Sequence, residues 1–428
     1  MSKRRRKRRR KGKHRTMTLP HTHQKQQERP QWEVADVFDL YFDEYRATHG
    51  VSRQQLKVVG AIRKCRTAAL GAHVMACDRC GYLDFSYNSC RNRHCPKCQY
   101  GHQQEWVEAR LEELLPIPYH HTVFTLPDGH LHTLMLYNKA VMYALLFHSA
   151  AETLHTFAQD PRRLGAEMGF IGILHTWGQT LCYHPHLHFI VTGGGISFDG
   201  QRWVELEYGD KFLFPVKAMS RVMRGKFIAK LRKAYAEGRL NFEGQIAHLA
   251  DAAAFEGFLD ELAGQAFVIY NEAPFTSAER VVRYFGQYTQ RVAISNYRIL
   301  NIADSQVRLR YKDNQDGGKQ KVMVLSADEF IRRFLLHILP EDFKKTRHYG
   351  ILSSGVKKVK LALARKLLAA QAAAERVVGE VKERVGEWFR QCPMCEVGRM
   401  CFQRLIEPQQ LPAYRLVLVS GRACFDTS

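Results

Sequence analysis

The stretch HPHLHFIVTGGG, residues 184–195, carries the pattern from which the fold can be predicted. It places His186 and His188 two positions apart in a run of strand-forming residues. Alternate residues of a β-strand point to the same face, so both imidazoles can bind one divalent metal ion while Leu187 faces the core. Gly193–Gly195 is expected to end the strand. The pattern therefore predicts a buried strand that carries a metal-binding pair of histidines.

A second motif, RYFGQYTQR at residues 283–291, contains two tyrosines separated by one helical turn. Residues i and i+4 of a helix share a face, so Tyr284 and Tyr288 can both reach one reactive centre. A phenol has a pKa of about 10, so an attacking tyrosine needs help at neutral pH. A divalent metal ion bound to the phosphate gives that help, because it offsets the negative charge that repels the attacking oxygen. The flanking polar residues suited to binding phosphate or completing a metal shell are Arg283, Gln287, Gln290 and Arg291.

Together the histidine pair and the tyrosines favour the cutting and rejoining of a nucleic acid strand through a covalent intermediate. Other interpretations stay open at this point. The pattern His-x-His-x-His-x-x also fits the histidine triad of nucleotide hydrolases, but such an enzyme needs no metal ion, tyrosine or basic tail. The histidines can also belong to a polar surface strand, and Tyr-x3-Tyr can serve only to pack a helix.

The net charge of the chain indicates the class of molecule that it binds. The 428 residues include 64 Lys and Arg against 42 Asp and Glu, a formal charge of +22. Eleven of these cations lie in the first fifteen residues, so half of the excess charge belongs to the rest of the chain. A basic body with a basic arm favours a polyanionic partner, DNA or RNA. No apolar run is long enough to cross a bilayer or to form a signal peptide, so we expect no membrane contact and a cytoplasmic, nucleoid-associated protein.

Cysteines in CxxC pairs predict zinc rather than disulfides. Cys77-x2-Cys80 and Cys95-x2-Cys98 are separated by 14 residues, which is enough for a hairpin that joins two knuckles around one tetrahedral ion. Four sulfur ligands leave no open coordination position. The predicted zinc ion is therefore structural.

Neighbouring residues extend the zinc hypothesis. The hypothetical ligands of a second zinc ion are Cys65, Cys90 and His94, with free buried thiols as the alternative. A C-terminal zinc site would use Cys392, Cys395, Cys401 and Cys424, although the spacing of its second half is irregular. The cationic residues of the N-terminal block, which are predicted to contact DNA, are Arg91, Arg93 and Lys97.

The composition divides the chain into four predicted segments. Residues 1–30 form a polar, basic arm without fixed structure. Residues 31–115 hold two helices and the cysteine block. Residues 116–350 hold the strands and the tyrosine helix, with a basic helical insertion at about 208–265. Residues 351–428 form an alanine-rich helix and a cysteine cluster.

Strands are predicted from apolar runs. Phe170–Thr180 and His186–Thr192 indicate one hairpin, and Val307–Lys312 with Lys321–Leu325 indicate another. His120–Leu126 is predicted to be a separate strand. These apolar runs are short, and segments with helical periodicity lie between them.

Several motifs, in this order, resemble the rolling-circle transposases of the ninety-one family of insertion sequences and their common-region relatives. They are CRNRHCPKC at residues 90–98, HPHLH followed by three glycines, Tyr-x3-Tyr, and DEFIRRF at 328–334 before RHYG at 347–350. The resemblance runs from about residue 35 to about residue 355. It implies an α+β fold in which an HUH endonuclease domain, an antiparallel sheet flanked by helices, follows an N-terminal zinc-binding module. A helical, cysteine-rich C-terminal extension lies beyond the part that the resemblance covers.

The resemblance also implies a chemistry. His186 and His188 correspond to the metal pair, and Tyr284 and Tyr288 to the nucleophiles that nick single-stranded DNA and form a 5′-phosphotyrosine. The implied metal is Mg²⁺ or Mn²⁺, and the implied partners are single-stranded or hairpin-containing element ends. A third ligand is usual, with Gln287 as the candidate and Gln179 and His184 as competitors. The alternatives are a plasmid replication initiator or relaxase, and a zinc-dependent DNA-binding protein without nicking activity.

Overall fold

The structure is a computed structural model that describes the following residues: 30–76, 83–98, 106, 110–127, 129–206, 213–272, 274–275, 293–313, 316–383, 415–419 and 422–426. Its N-terminal part consists of two helices and a hairpin. These are α1 Val34–Thr48, α2 Arg53–Lys64, and the antiparallel strands β1 Ala72–Ala76 and β2 Leu83–Tyr87. A capping box starts α2, because Ser52 Oγ accepts from the Gln55 amide while Gln55 Oε1 accepts from the Ser52 amide.

An antiparallel sheet forms the centre of the structure, in the order β11–β4–β5–β3–β7, with β6 paired to β5. Its strands are β3 Tyr119–Thr125, β4 Ala166–Trp177, β5 Tyr183–Ser197, β6 Trp203–Glu205, β7 Val268–Asn271 and β11 Thr346–Gly350. The hairpin predicted from the two apolar runs is present as β4 and β5. Strand β5 is long and almost entirely buried, which explains its continuous apolar sequence.

The three glycines do not end β5, contrary to the expectation from sequence. The strand continues through Gly193–Gly195 to Ser197. A Cβ atom at Gly194 would lie 2.5 Å from the carbonyl oxygen of Val204, and one at Gly195 would lie 2.6 Å from that of Glu167. The glycines therefore allow neighbouring backbones to approach closely within the sheet.

Helices cover the sheet and share its apolar core. They are α3 His130–Tyr137, α4 Lys139–Gln159, α5 Val216–Ala236 and α6 Ala252–Gly264. The aromatic side chains of this core are fully buried, and they include Phe124, Phe147, Phe170, Phe189 and Phe227. Burying each such ring is worth about 1.5–3 kcal/mol relative to exposure. The helix α4 packs on both β4 and α5, which fixes the position of the basic helix relative to the sheet.

A second, three-stranded sheet follows in the order β10–β9–β8. Its strands are β8 Ile299–Ala303, β9 Gln306–Asp313 and β10 Lys319–Ser326, and helix α7, Ala327–Leu336, comes directly after them. The predicted hairpin is thus present as β9 and β10, and β8 adds a strand that the sequence did not reveal. Phe334 on α7 meets Phe38 on α1 edge to face, with 5.3 Å between ring centroids. One apolar cluster therefore joins the N-terminal helices to this sheet.

Helix α8, Lys357–Glu383, and a hairpin of β12, Arg415–Val419, with β13, Arg422–Asp426, complete the described elements. The chain divides into two compact units, one up to Leu367 and one from Leu368. Mixed helices and antiparallel sheets confirm the predicted α+β class with an HUH-like sheet. Within the described part of the chain, every helix is too short or too polar to cross a membrane.

Candidate functional site

Three histidines meet on one face of the central sheet. His186 and His188 lie on β5, and His175 lies on β4 directly opposite His186 in the register. One ring nitrogen from each of the three comes within 4.8 Å of the others. His175 and His188 are only 3% and 8% exposed, and His186 is partly buried. Three convergent imidazoles can bind one divalent ion and leave coordination positions open for a substrate.

The sequence had not revealed His175. Its available signal was a single histidine in the otherwise apolar run FIGILHTW, residues 170–177. Of the competing third ligands, His184 is not one of the three clustered histidines, although its ring centroid lies 5.3 Å from that of His186. Its backbone carbonyl oxygen accepts from His186 Nδ1 at 2.7 Å, and the backbone carbonyl oxygen of Gln179 accepts from Arg298. Since Nδ1 of His186 must donate in that bond, its Nε2 is left as the metal-binding atom.

A chain of hydrogen bonds runs from Glu272 through His121 to His188. His121 on β3 lies 2.8 Å from His188, Nε2 to Nδ1, and its own Nδ1 lies 2.8 Å from the Glu272 carboxylate. A carboxylate only accepts, so His121 Nδ1 donates to it, and the Nε2 of a neutral His121 accepts from His188 Nδ1. This order leaves the Nε2 of His188 unprotonated. The chain therefore selects the tautomer that a metal ion requires.

Burial favours the neutral form of the two imidazoles on β5. Desolvation lowers the pKa of His186 to about 4 and holds the pKa of His188 well below its usual value of 6.5. The neighbouring His175, His186 and His121 add to the shift of His188 by charge repulsion. Neutral nitrogen donors at neutral pH, with selected tautomers, fit a divalent ion.

A small cavity lies behind this face, lined by Arg93, His94, Trp177, His337 and Lys345 among others. The Lys345 ammonium lies 4.9 Å from the centre of the Trp177 ring, and burial lowers its pKa to about 7. Trp177 in turn stacks on His175, with 4.8 Å between centroids. The cavity wall is thus continuous with the histidine site.

Four cysteines form a second cluster, at Cys65, Cys90, Cys95 and Cys98. Their sulfur atoms all lie within 4.8 Å of one another. The Sγ atom of Cys98 is 3.5 Å from that of Cys65 and 3.6 Å from that of Cys90, and a hydrogen bond with the Cys65 thiol is the largest cause that lowers the pKa of Cys98. These four sulfurs match the ligand set of one tetrahedral zinc ion.

The grouping differs from the one predicted. Cys65 and Cys90, assigned from sequence to a second site, lie with Cys95 and Cys98, and a four-coordinate ion there has no position left for Cys77 or Cys80. Cys77 and Cys80 themselves lie outside the described residues. His94 is not part of the cluster: it is buried, and its Nε2 accepts from the Leu339 amide at 3.4 Å.

Two of the three cations predicted to contact DNA make contacts within the protein. Arg93 donates to the carbonyl oxygens of Phe343 and Pro340 at 2.5 and 2.6 Å. Lys97 pairs with Glu33 and donates to the Cys65 carbonyl at 3.2 Å. These bonds tie the cysteine block to its surroundings. Arg91 is exposed.

The remaining predicted site residues are not described. Those outside the described residues are Arg283, Tyr284, Gln287, Tyr288, Arg291, Cys392, Cys395 and Cys401. Cys424 lies on β13, without a described side chain.

Two family models match the chain. One, with the description "Transposase zinc-binding domain", covers residues 37–126 and so includes the cysteine cluster. The other, described as "Putative transposase", covers residues 169–360 and includes all three clustered histidines. No solved structure is significantly similar.

Relatives support the same assignment. A "Putative transposase" of Sinorhizobium fredii is 47% identical over 376 residues, which cover 86% of this chain and 94% of that protein. The "Transposase for insertion sequence element IS801" of Pseudomonas savastanoi pv. phaseolicola is 28% identical over 314 residues, 72% of each chain. The fold and the histidine site define the HUH-like α+β class. Within it, the chain belongs to the transposases of the ninety-one family of insertion sequences.

Proposed function

We propose that this transposase nicks single-stranded or hairpin-containing DNA at the ends of its element and transfers the strand in rolling-circle transposition. The observation that carries the proposal is the set of three convergent imidazoles on the two central strands. The Tyr-x3-Tyr motif falls within the same matched range, residues 169–360. We expect the reaction to take place on DNA in the bacterial cytoplasm, at the nucleoid.

His175, His186 and His188 would hold Mg²⁺ or Mn²⁺. When bound, such an ion supplies positive charge at a phosphate oxygen and lowers the barrier to attack at phosphorus. Gln287, from the tyrosine segment, is a further candidate ligand. The Glu272–His121 pair would orient His188 and keep its Nε2 unprotonated.

The covalent step uses a tyrosine hydroxyl, of Tyr284 or Tyr288. Its oxygen forms a bond to phosphorus as the bond between phosphorus and the 3′-oxygen breaks. The phenolic proton is lost, the 3′-oxygen gains a proton, and the products are a 5′-phosphotyrosine and a free 3′-hydroxyl. Arg283 and Arg291 would bind the flanking phosphates. A hydroxyl at the end of a DNA strand then reverses the chemistry and completes strand transfer.

The cysteine cluster would bind one structural zinc ion through Cys65, Cys90, Cys95 and Cys98. The zinc-binding family match over residues 37–126 supports this assignment. Because four thiolates complete the coordination shell, the ion would stabilise the fold and take no part in the chemistry. The candidates for DNA contacts on this module are Arg91, Arg93 and Lys97, of which Arg91 and Arg93 are exposed.

An adduct assay tests the proposal. Protein is incubated with Mn²⁺ and a labelled single-stranded oligonucleotide from the DNA that flanks its gene, and a denaturing gel then shows any protein–DNA adduct. We expect an adduct with the wild type, reduced or altered adducts with Tyr284→Phe or Tyr288→Phe, and no adduct with the double variant. Phe keeps the ring and removes only the hydroxyl. Tyr297→Phe, on an exposed turn, is the matched control.

Two outcomes would contradict the proposal. An adduct that persists in the double variant would exclude both tyrosines as nucleophiles. If Tyr284→Phe alone removes every adduct and Tyr288→Phe behaves as wild type, the model of two alternating nucleophiles is wrong, and Tyr288 has a packing role.

A further inference from the structure

The second sheet presents a regular basic face to solvent. Along β9, Arg308, Arg310 and Lys312 are exposed, and the intervening Val307 and Leu309 are fully buried. Alternate residues of a strand point to the same face, so the three cations form one row about 7 Å apart from one to the next. The buried residues anchor the strand to the apolar cluster that contains α7. The row is therefore held on a stiff backbone.

Apolar side chains stand beside this row on β10. Val322 lies opposite Arg310 and Val324 lies opposite Arg308 in the register. Both valines are about half exposed, at 50% and 49%. Exposed valines paired with arginines across a sheet are unusual for a solvent face, where polar residues normally alternate with buried ones. The β9–β10 ribbon thus offers guanidinium donors and methyl groups side by side.

The charges of this row are not neutralised by any residue in the described part of the chain. Among the described residues, no carboxylate forms an ion pair with Arg308, Arg310 or Lys312. Lys319 and Lys321 on the same hairpin differ, since Asp313 and Asp316 pair with them at 2.8–3.0 Å.

The basic helix α5 also differs from this row, because several of its cations are ion-paired. Its Lys226 and Lys230 pair with Glu152, and its Arg232 pairs with Glu256. Three of the seven cations of this helix thus pair with carboxylates on neighbouring helices. On β9, by contrast, Arg308, Arg310 and Lys312 form no ion pair with a described carboxylate.

We propose that the exposed face of β9 and β10 binds the major groove of double-stranded DNA next to the nicking site. A two-stranded ribbon fits the width of that groove. Arginine binds the O6 and N7 atoms of guanine in two parallel hydrogen bonds, and small apolar side chains contact the thymine methyl group. The row of arginines beside valines offers both kinds of contact.

The composition of the face favours duplex over single-stranded DNA. Surfaces that bind single strands rely on aromatic rings on which bases stack. The outward positions of this face carry no aromatic side chain: they are Asn301, Arg308, Arg310, Lys312, Gln320, Val322 and Val324. The structure thus separates a face for duplex from a site that would act on a single strand.

The sheet is connected to the histidine site. Arg298, directly before β8, donates to the Arg310 carbonyl at 2.8 Å and also to the carbonyl of Gln179 in the turn between β4 and β5. Arg333 of α7 donates to the Thr180 carbonyl in the same turn at 2.8 Å. A duplex on the sheet would therefore lie at the end of the strands that carry the histidines. The inference rests on DNA as the substrate and not on the nicking step.

Binding measurements test it with the full chain. A fluorescent duplex of about two helical turns, from the DNA that flanks the gene, and its single strand are titrated at several salt concentrations. The variant is Arg308→Ala with Arg310→Ala. The matched control is Lys319→Ala with Lys321→Ala, which removes the same charge from the same hairpin. Thermal melting of both variants shows whether each is folded.

We expect the arginine variant to bind the duplex at least about tenfold more weakly and to lower the slope of log affinity against log salt by about two. Its affinity for the single strand should change less than about twofold, and so should duplex binding by the lysine control. Arg308→Lys with Arg310→Lys should keep the salt dependence and lose preference among duplex sequences.

Three results would overturn the inference: an unchanged duplex affinity in the arginine variant, an equal loss in the lysine control, or a larger loss for the single strand. An adduct assay on the same samples separates the two proposals. A folded wild type that binds duplex through the arginines and forms no phosphotyrosine would reject the proposed nicking and leave the duplex face intact.

Discussion

The two metal-ligand clusters are built in opposite ways. The histidines project from paired strands of the central sheet, where the register itself sets His175 against His186. The cysteines lie where regular structure ends: Cys65 ends α2, and Cys90, Cys95 and Cys98 lie in the loop after β2. Hydrogen bonds of the sheet can therefore hold the histidines in place without an ion, whereas the cysteine loop depends on one. We therefore expect that metal removal unfolds the cysteine loop, whereas the histidine site loses its ion and stays folded.

The largest effect is expected at the cysteine cluster. Cys95→Ser should abolish zinc binding and expose the backbone of residues 83–98, because structural zinc contributes about 10–16 kcal/mol to small modules of this kind. Zinc content by elemental analysis and hydrogen exchange by mass spectrometry measure the two effects. Cys182→Ser removes an exposed thiol outside the cluster and is the control.

Helices α1 and α2 should remain protected in that experiment, because their apolar residues pack against α7 as well. Wild-type protein purified without zinc, or unchanged exchange in Cys95→Ser, would show that the loop does not depend on an ion.

The second effect concerns activity and not folding. His175→Ala and His188→Ala should each reduce adduct formation by about a thousandfold or more, since a metal ion supplies several kcal/mol at a phosphoryl transition state. DNA affinity should change little because it comes from distributed phosphate contacts. Mn²⁺ titration followed by electron paramagnetic resonance should show weakened binding in both variants. His148→Ala, exposed on α4, is the control. Wild-type Mn²⁺ affinity in His175→Ala would remove His175 from the metal site.

A smaller effect on metal affinity is expected at the residues that form the hydrogen-bond chain to His188. His121→Ala removes the acceptor of the His188 Nδ1 proton, and Glu272→Gln removes the charge that fixes His121. Partners of metal-bound histidines typically contribute 10–100-fold to affinity, so we expect Mn²⁺ binding to weaken by about that range in His121→Ala and by less in Glu272→Gln. Glu167→Gln, on the far end of β4, is the control carboxylate. Equal Mn²⁺ affinity in all three variants would mean that the chain has no role in binding.

The sequence predicted the parts of these sites that depend on local periodicity. The pair His186 and His188 follows from the two-residue repeat of a strand. His175 depends on the register between β4 and β5, which a single histidine in an apolar run does not specify. The glycines at 193–195 were misread for a similar reason, because their role is the approach of neighbouring strands that only the sheet reveals.

The charge and cysteine patterns of the sequence predicted the kinds of site that are present. They were less informative about the contacts that individual residues make. The CxxC spacing identified a zinc module, yet Cys65 and Cys90 reach the cluster through the fold of α2 and the hairpin and not through a CxxC motif. Arg93 and Lys97 were assigned to DNA because they are cations in a basic block. Both also bind groups of the protein: Arg93, although exposed, donates to two carbonyl oxygens, and the half-buried Lys97 pairs with Glu33.

The effect of burial can be separated from the effect of metal binding at His337. His337 is buried like the site histidines, but protein groups satisfy it: Thr176 Oγ1 lies 3.2 Å from its Nδ1, and its Nε2 donates to the Leu181 carbonyl at 3.0 Å. Burial lowers its pKa to about 4, from 6.5. The unfolded state therefore takes up a proton first as the pH falls, and stability is lost between pH 6.5 and about 4, by up to about 3 kcal/mol. Denaturant unfolding across this range should show a flatter pH dependence for His337→Gln than for the wild type. Addition of Mn²⁺ should leave that difference unchanged, because both ring nitrogens of His337 already bind protein groups. A difference that disappears with Mn²⁺ would link His337 to the metal site.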